Sequence, residues 1–392
     1  MSATYLKTDR ELEELCRQAR DEGRIGLDTE FHRERRYTPK LALVQLAVEG
    51  REVLLDPFGE ADLGPLDELV ADASVVKVLH AASQDLEIFF GRSRQVPRNV
   101  FDTQIAAAML GMGAQISLLG LVESLLGIRL SKGATFTDWL ERPLSTRQED
   151  YALADVEHLL EMHDELARRL DELGRTGWLA EELRRFERES YYEIPPEELY
   201  TRVKRFSSLR SRGLAVLSAL AIWREDAARA QNRPRRSIVA DEVLVELARS
   251  TPDSVKELGR TRGLHPGEIK RSGTDIVAAI ERGLATPDDQ CPVLVRDRAV
   301  PREMELAVSF VQSFLKIYCS KVGIDPILMA SGADIESLVS AHLQGRIDVD
   351  RHPVLQGWRG ELVGNRVLAF LRGEIGVRLD PKSVMPILDD VG

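Results

Sequence analysis

Asp28 and Glu30 stand two residues apart in Arg24-Ile-Gly-Leu-Asp-Thr-Glu30, a short apolar run that reads as a β-strand. Side chains two apart leave the same face of a strand, so these carboxylates converge and repel unless a cation sits between them. Taken alone, the pair fits a strand end with solvated acids equally. Asp85 follows the strand-like Val75-Val-Lys-Val-Leu-His80, where Ser83 is placed to cap a helix running through Phe90. A carboxylate in a helix's first turn is favoured by the dipole with or without a function. Tyr151 and Asp155 are one turn apart on a later helix and share its face, as would a surface acid beside a half-buried tyrosine. Jointly these groups suit phosphodiester hydrolysis. Oxygen-only ligands prefer hard Mg²⁺ or Mn²⁺, and two such ions would neutralise four carboxylates and admit a phosphate.

The elements that must hold these residues alternate at first. Leu41–Val48 and Glu52–Asp56 are β-rich runs, 62–72 is helical, and from Thr103 onward the pattern turns helical. Thr146-Arg-Gln-Glu149 reads as a capping box opening one long amphipathic helix past Tyr151 and Asp155 toward Leu173. Early strands followed by helices predict an α/β core with helices packed on it. Pro195-Pro196 reads as a linker, and beyond it the pattern predicts helices only, in two faintly similar stretches around 233–258 and 323–338, joined near Thr286–Arg298. A Trp-Arg pair accompanies each, Trp223-Arg224 and Trp358-Arg359.

Bulk properties exclude several classes. At 392 residues, 43% hydrophobic and 30% charged, the chain reads as two or three globular domains. No apolar run approaches the roughly 18 residues a membrane helix needs. Met1–Arg10 carries no signal-peptide h-region, and Cys16, Cys291 and Cys319 form neither a disulfide framework nor a zinc site, so a cytoplasmic protein is expected. The net charge of −11 argues against a polyanion as partner. Charge acts over a Debye length of about 8 Å, however, and it is unevenly spread. Leu199–Arg236 holds ten Lys/Arg against Glu225 and Asp226. Arg202, Lys204, Arg205, Arg233, Arg235 and Arg236, interleaved with Tyr200, Phe206 and Trp223, are candidate phosphate and base contacts, with a plain solvated face as the alternative. Phe31 is placed to stack on a terminal base or to sit in the core. Asp102 either orders the site or caps a surface helix. His80 has no second ligand at metal spacing and is expected to be packed or hydrogen-bonded. Gly111-Met-Gly113 is no dinucleotide fingerprint, and the missing G-x-x-x-x-G-K-[ST] excludes helicase activity.

The order Asp-x-Glu, mid-domain Asp, Tyr-x-x-x-Asp resembles the DEDD exonuclease superfamily, tyrosine subclass. Asp28-Thr-Glu-Phe31, Leu43-Val-Gln-Leu46, His80-Ala-Ala-Ser-Gln-Asp-Leu-Glu87, Phe101-Asp-Thr-Gln104, Asp138-Trp139, Arg142-Pro-Leu144 and Gln148-x-x-Tyr151-Ala-x-x-Asp155 resemble the ribonuclease D family, and the helical stretches resemble its HRDC domains. The likeness runs from about residue 3 to 375 and keeps all five catalytic positions. It implies a ribonuclease H-like exonuclease core, a mixed sheet flanked by helices, over 1–194. Two all-α HRDC-like domains would follow at 195–287 and 298–380. It further implies two divalent metal ions, with Asp28, Glu30 and Asp155 on the catalytic one. Asp28 would bridge to the second, which Asp85 reaches mostly through water. The Tyr151 hydroxyl, too weak a base at its usual pKa near 10, would position the attacking water. The expected reaction trims single-stranded 3′ ends of RNA, tRNA precursors among them, to 5′-mononucleotides. No membrane and no obligate protein partner is evident. A 3′→5′ DNA exonuclease and a catalytically silent RNA-binding protein are the rivals; matched RNA and DNA substrates separate the first, and metal-dependent mononucleotide release excludes the second.

Overall fold

The computed structural model describes the backbone of residues 4–129, 138–293 and 302–390. By packing, the chain divides into two units: Met1–Glu30, Ala42–Glu187 and Asp297–Gly392 form one, Phe31–Leu41 and Arg188–Arg296 the other.

The first unit opens with β1 (Tyr5–Leu6) and α1 (Asp9–Glu22). Thr8 and Glu11 close a capping box at the start of α1, and Gly23 takes the left-handed conformation (φ 73°) that ends it. The chain turns there straight into β2 (Arg24–His32), followed by β3 (Lys40–Val48) and β4 (Arg51–Leu55). Next come α2 (Gly64–Ala71), β5 (Val76–Leu79), α3 (Ser83–Ser93), β6 (Val100–Asp102), α4 (Thr103–Met109) and α5 (Leu118–Leu126). The sheet order is β1-β4-β3-β2-β5-β6. β2, β5 and β6 run parallel while β3 and β4 are antiparallel, a mixed sheet as expected. β3 is buried from Leu41 to Val48, which is why its sequence is an unbroken apolar run rather than an alternation.

Three local expectations need correction. Ser83 is the first helical residue of α3; the cap position is Ala82, which has no side chain to use, and the carboxylate of Asp102 takes its N–H instead (2.9 Å). The capping box on the later helix is one residue earlier than expected. Ser145 accepts from the Gln148 backbone (3.4 Å) and Gln148 Oε1 accepts from the Ser145 N–H (2.9 Å), leaving Glu149 to accept from the Tyr5 hydroxyl (3.0 Å). The long helix is also two, α6 (Thr146–Glu157) and α7 (Leu159–Glu172), parted at His158, whose φ of −109° breaks the helical path. α8 (Thr176–Leu183) follows.

The second unit holds α9 (Glu189–Tyr192), α10 (Ser211–Ala230), α11 (Arg235–Ile238), α12 (Asp241–Ser250), α13 (Val255–Leu258) and α14 (Pro266–Leu284). Pro195-Pro196 is followed by a turn of 3₁₀ helix over Pro196–Arg202. α10 and α14 cross so closely that a Cβ on Gly283 would lie 2.4 Å from Val216 Cα. Trp223 is 7% exposed within this core, and Tyr200 and Phe206 meet edge-to-face (5.8 Å) against it. Their expected role as base-stacking rings is therefore overturned for Trp223: its ring packs in the helical core. The segment Phe31–Leu41 belongs to this unit through Tyr37, which packs on the same core. The Tyr37 and Thr38 N–H groups both donate to Asn232 Oδ1 (3.1 Å each), and the Tyr37 hydroxyl donates to Glu225.

The chain then rejoins the first unit with α15 (Arg302–Val322), α16 (Gly332–Leu343), α17 (Gly357–Arg359) and α18 (Asn365–Leu371). The expected start of a second helical domain at 298–301 lies outside the described residues. Trp358 stacks on Trp178 (5.8 Å), Arg359 pairs with Glu182 (2.7 Å), and Arg175 donates to the Met109 and Gly323 carbonyls (2.6 Å each). The tail is not helical as expected but an antiparallel hairpin, β7 (Ile375–Leu379) and β8 (Pro386–Asp390). Ile375, Val377 and Leu379 alternate as a strand requires, and Asp380 accepts the Lys382 and Ser383 N–H groups (2.9 and 2.7 Å) to close the turn. Among the described residues no helix is long and apolar enough to cross a membrane.

Candidate active site

β2 carries Asp28 and Glu30 from the middle of the sheet, and α6 brings Asp155 against them. One carboxylate oxygen from each of the three lies within 4.8 Å of the others. The approach is set by packing. A Cβ on Gly26 would be 3.4 Å from Leu159, so α7 lies directly on β2. Leu144 and Ala152 bury with Leu43 and Leu54, fixing α6 over β3 and β4. Arg142 clamps the loop before α6, donating to both oxygens of Asp56 (2.6 and 3.0 Å) and to the Ala42 carbonyl (2.5 Å).

Asp85, 6% exposed in the first turn of α3, accepts a hydrogen bond from the Thr29 hydroxyl. It lies outside the three-oxygen group but close enough to raise the pKa of Asp28. Asp102 resolves between its two readings as a buried cap, 2% exposed. Its oxygens accept from Gln104 and Ile105 at the start of α4 (2.9 and 3.2 Å) and from Ala81 and Ala82 before α3 (3.2 and 2.9 Å). Ala81 sits at φ 58°, a strained conformation for a residue with a Cβ, and this carboxylate holds it. Asp102 thereby positions the turn that delivers Asp85. His80 is hydrogen-bonded, as expected, to Thr103 Oγ1 (2.8 Å) and the Ile116 carbonyl (3.1 Å).

Electrostatics follow from crowding acids in a poorly solvated place. Burial pushes Asp28 well above the carboxylate range, and Asp85, Asp155 and Glu30 push it further. Burial, then Asp155 and Asp85, lift Glu30 to about 8. Asp155 rises to about 7 through burial, against a hydrogen bond from Tyr151. Asp85 rises to about 6 through burial, tempered by the Thr29 hydroxyl. Burial and then the charges of Asp155, Glu30 and Asp28 raise Tyr151 above its usual value, so it stays a neutral donor. Trp139 backs its ring (centroids 6.1 Å apart). Acceptor-only groups that crowd until they retain protons fit a divalent cation, which would relieve the repulsion that raises them.

The candidate binding residues are dispersed over the second unit. Arg235 chelates Glu225 and stacks over Tyr37 (5.0 Å), and Arg233 donates to the Ser237 carbonyl (2.6 Å). Arg202, Lys204, Arg205 and Arg236 are exposed and make no side-chain ion pair among the described residues. Phe31 is half-buried. Sequence reasoning passed over a second cationic run, Arg33, Arg35, Arg36 and Lys40 against Glu34, all exposed and directly downstream of Glu30. Its signal is plain in local charge, four cations against one acid in eight residues. Thr29 was hidden between two acids.

A 3′-5′ exonuclease family matches residues 3–171 and an HRDC domain residues 213–280. Ribonuclease D of Granulibacter bethesdensis is 36% identical over 98% of this chain and 96% of its own. That of Gluconacetobacter diazotrophicus is 38% identical over 97% and 96%. The chain belongs to the ribonuclease D family. The crystal structure of Escherichia coli RNase D, an exoribonuclease involved in structured RNA processing, is similar with a TM-score of 0.82 at 33% identity, covering 95% of this chain and 99% of that one. A Bifidobacterium adolescentis protein, 23% identical with a TM-score of 0.63, shares the fold. As a member of that family the chain is a hydrolytic 3′→5′ exoribonuclease with a ribonuclease H-like core and an HRDC domain, acting on RNA with divalent metal ions.

Proposed function

We propose that Asp28, Glu30 and Asp155 hold a divalent cation, that Asp28 and Asp85 serve a second, and that both are Mg²⁺ or Mn²⁺. The carrying observation is the meeting of three carboxylate oxygens within 4.8 Å, on a strand and a helix distant in sequence. Two such cations supply the acidification of an attacking water and the shielding of a leaving 3′-oxygen. The protein's part is to place them. β2 holds Asp28 and Glu30 rigidly from the sheet, Thr29 fixes the rotamer of Asp85 by its hydroxyl, and Tyr151 donates to Asp155. The same neutral hydroxyl orients a water for in-line attack on the terminal phosphodiester, releasing a 5′-mononucleotide.

Single-stranded 3′ ends are the substrate in this reading, with tRNA 3′ maturation its biological setting; the name of the E. coli relative, a processor of structured RNA, supports that setting. We read 1–194 as the nuclease, 195–287 as the first HRDC-like domain and 298–380 as a second, which packs with the nuclease unit through Trp358 and Arg359. The cationic residues Arg202, Lys204, Arg205 and Arg236 supply phosphate contacts, with Phe31 beside the terminal base and Arg233 and Arg235 contributing through whatever charge their internal partners leave. The cytoplasm is the expected compartment. The test is Asp28→Asn and Asp155→Asn on matched RNA and DNA oligonucleotides with Mg²⁺ or Mn²⁺. Loss of mononucleotide release to background, with normal circular dichroism, is expected. Activity that survives either substitution and EDTA defeats the metal reading, and equal turnover of DNA defeats the restriction to RNA.

A further inference from the structure

Gln45 is fully buried in β3, and among the described residues neither its side-chain oxygen nor its nitrogen has a hydrogen-bond partner. An amide removed from water without partners destabilises the fold, so a sheet centre that keeps one needs a reason. Its place supplies one. β2 and β3 are neighbours in the sheet, and residues 33–39 between them are too few for the crossover that parallel strands require, so the two run antiparallel. A Cβ on Gly26 would lie 3.1 Å from Ala47 Cβ, which makes these two a facing pair. Two residues further along each strand, on the same face, Asp28 stands opposite Gln45.

We propose that Gln45 is a positioning residue for Asp28: its unpaired side-chain amide lies beside the Asp28 carboxylate and donates to it when that carboxylate holds a cation. A ligating carboxylate keeps lone pairs that the cation does not use, and a charge-assisted N–H bond to one of them fixes which oxygen faces the metal. Asp28 otherwise accepts only from the backbone of Thr29 among its hydrogen-bonding causes. The amide suits this task better than a lysine, which would compete with the cation, or a carboxylate, which would add a further acid to a crowded cluster. Its partnerless state without metal is the standing cost of a donor held ready.

The inference rests on the metal reading above, and the experiment separates the two. Mn²⁺ binding to the full chain is titrated calorimetrically without RNA for wild type, Gln45→Met and Gln45→Asn, alongside melting in EDTA. Gln45→Met removes the buried amide at nearly constant volume, so it should melt at or above wild type without metal. Loss of an outer-shell partner typically weakens metal binding 10–100-fold, and that loss is expected here. Gln45→Asn withdraws the donor by one methylene and should give a smaller loss. A Gln45→Met protein that folds and binds Mn²⁺ within twofold of wild type overturns the proposal. If that variant fails to fold, wild-type affinity in Gln45→Asn overturns it instead. Wild-type protein that binds no Mn²⁺ overturns the metal reading, and this proposal with it.

Discussion

Glu30→Gln should stabilise the metal-free enzyme and cripple the metal-loaded one. Glu30 rises from 4.5 to about 8 because burial and the charges of Asp155 and Asp85 oppose its ionisation. The folded chain therefore binds more protons than the unfolded one between about pH 4.5 and 8. Stability is whole below about pH 4.5 and drains away as pH climbs through about 8. Each pK unit is about 1.4 kcal/mol. Integrated, the ionisation of Glu30 costs up to about 4 kcal/mol at pH 8 and only about 1 kcal/mol at pH 5. A glutamine has no such cost. At about 2–4 °C per kcal/mol for a unit of this size, the variant should melt up to roughly 8–16 °C above wild type in EDTA at pH 8, and only about 2–4 °C above it at pH 5. Excess Mg²⁺ should reverse the order, since wild type then gains binding energy through a ligand the variant lacks. Differential scanning calorimetry at both pH values, with and without Mg²⁺, reads all four corners. Equal melting in EDTA at pH 8, or the same gap at pH 5 and 8, refutes the claim that Glu30 is held in a repulsive cluster.

Tyr151→Phe should lower kcat by roughly 10²-fold, within the range for positioned groups, while Mn²⁺ affinity stays near normal; a wild-type rate would remove the hydroxyl from the mechanism. Asp102→Ala should cost roughly 1–3 kcal/mol in a urea melt because four backbone N–H groups lose their acceptor, and Asp102→Asn less; a neutral effect would contradict its role as a double cap. Arg35→Gln with Arg36→Gln should flatten the slope of log K against log[salt] for single-stranded RNA by up to ~1.4 if both touch phosphate, and spare turnover of a dinucleotide. An unchanged slope would return these arginines to plain solvated surface.

The nuclease core was legible because its chemistry repeats strand and helix periods. Asp28 and Glu30 lie two apart, Tyr151 and Asp155 four apart, and each spacing alone places the pair on one face. What escaped is what sequence period does not encode. Asp102 caps Ala82 twenty residues away, so no local pattern could show that Ser83 had lost the cap position. His158 parts two helices whose apolar stripes continue through it. Trp223 sits in an arginine-rich stretch, and composition cannot tell a ring that stacks on bases from one that fills a helix crossing. The hairpin at 375–390 was missed for the same kind of reason: its strands are short, and helices precede it.

The net charge of −11 poses a real question for an enzyme that must hold RNA, and the division of the chain answers it. The unit containing Phe31–Leu41 and the HRDC domain has 23 Lys/Arg against 17 Asp/Glu, a net of +6. The remainder has 30 against 47, a net of −17, and three of its half-buried acids form the candidate metal site. A polyanion is thus attracted by one unit and repelled by the other except where cations have neutralised it. The joint between the two charges falls between Glu30 and Phe31, inside a single strand. Beyond it, Tyr37 is held to the helical unit by Asn232 and Glu225, and Arg229 and Arg235 crowd its ring and hydroxyl. Arg35 and Arg36 therefore ride on a loop anchored to the cationic unit while continuing the strand that bears Asp28 and Glu30. Cationic residues thus follow Asp28 and Glu30 within a few positions of sequence, which a whole-molecule charge cannot reveal.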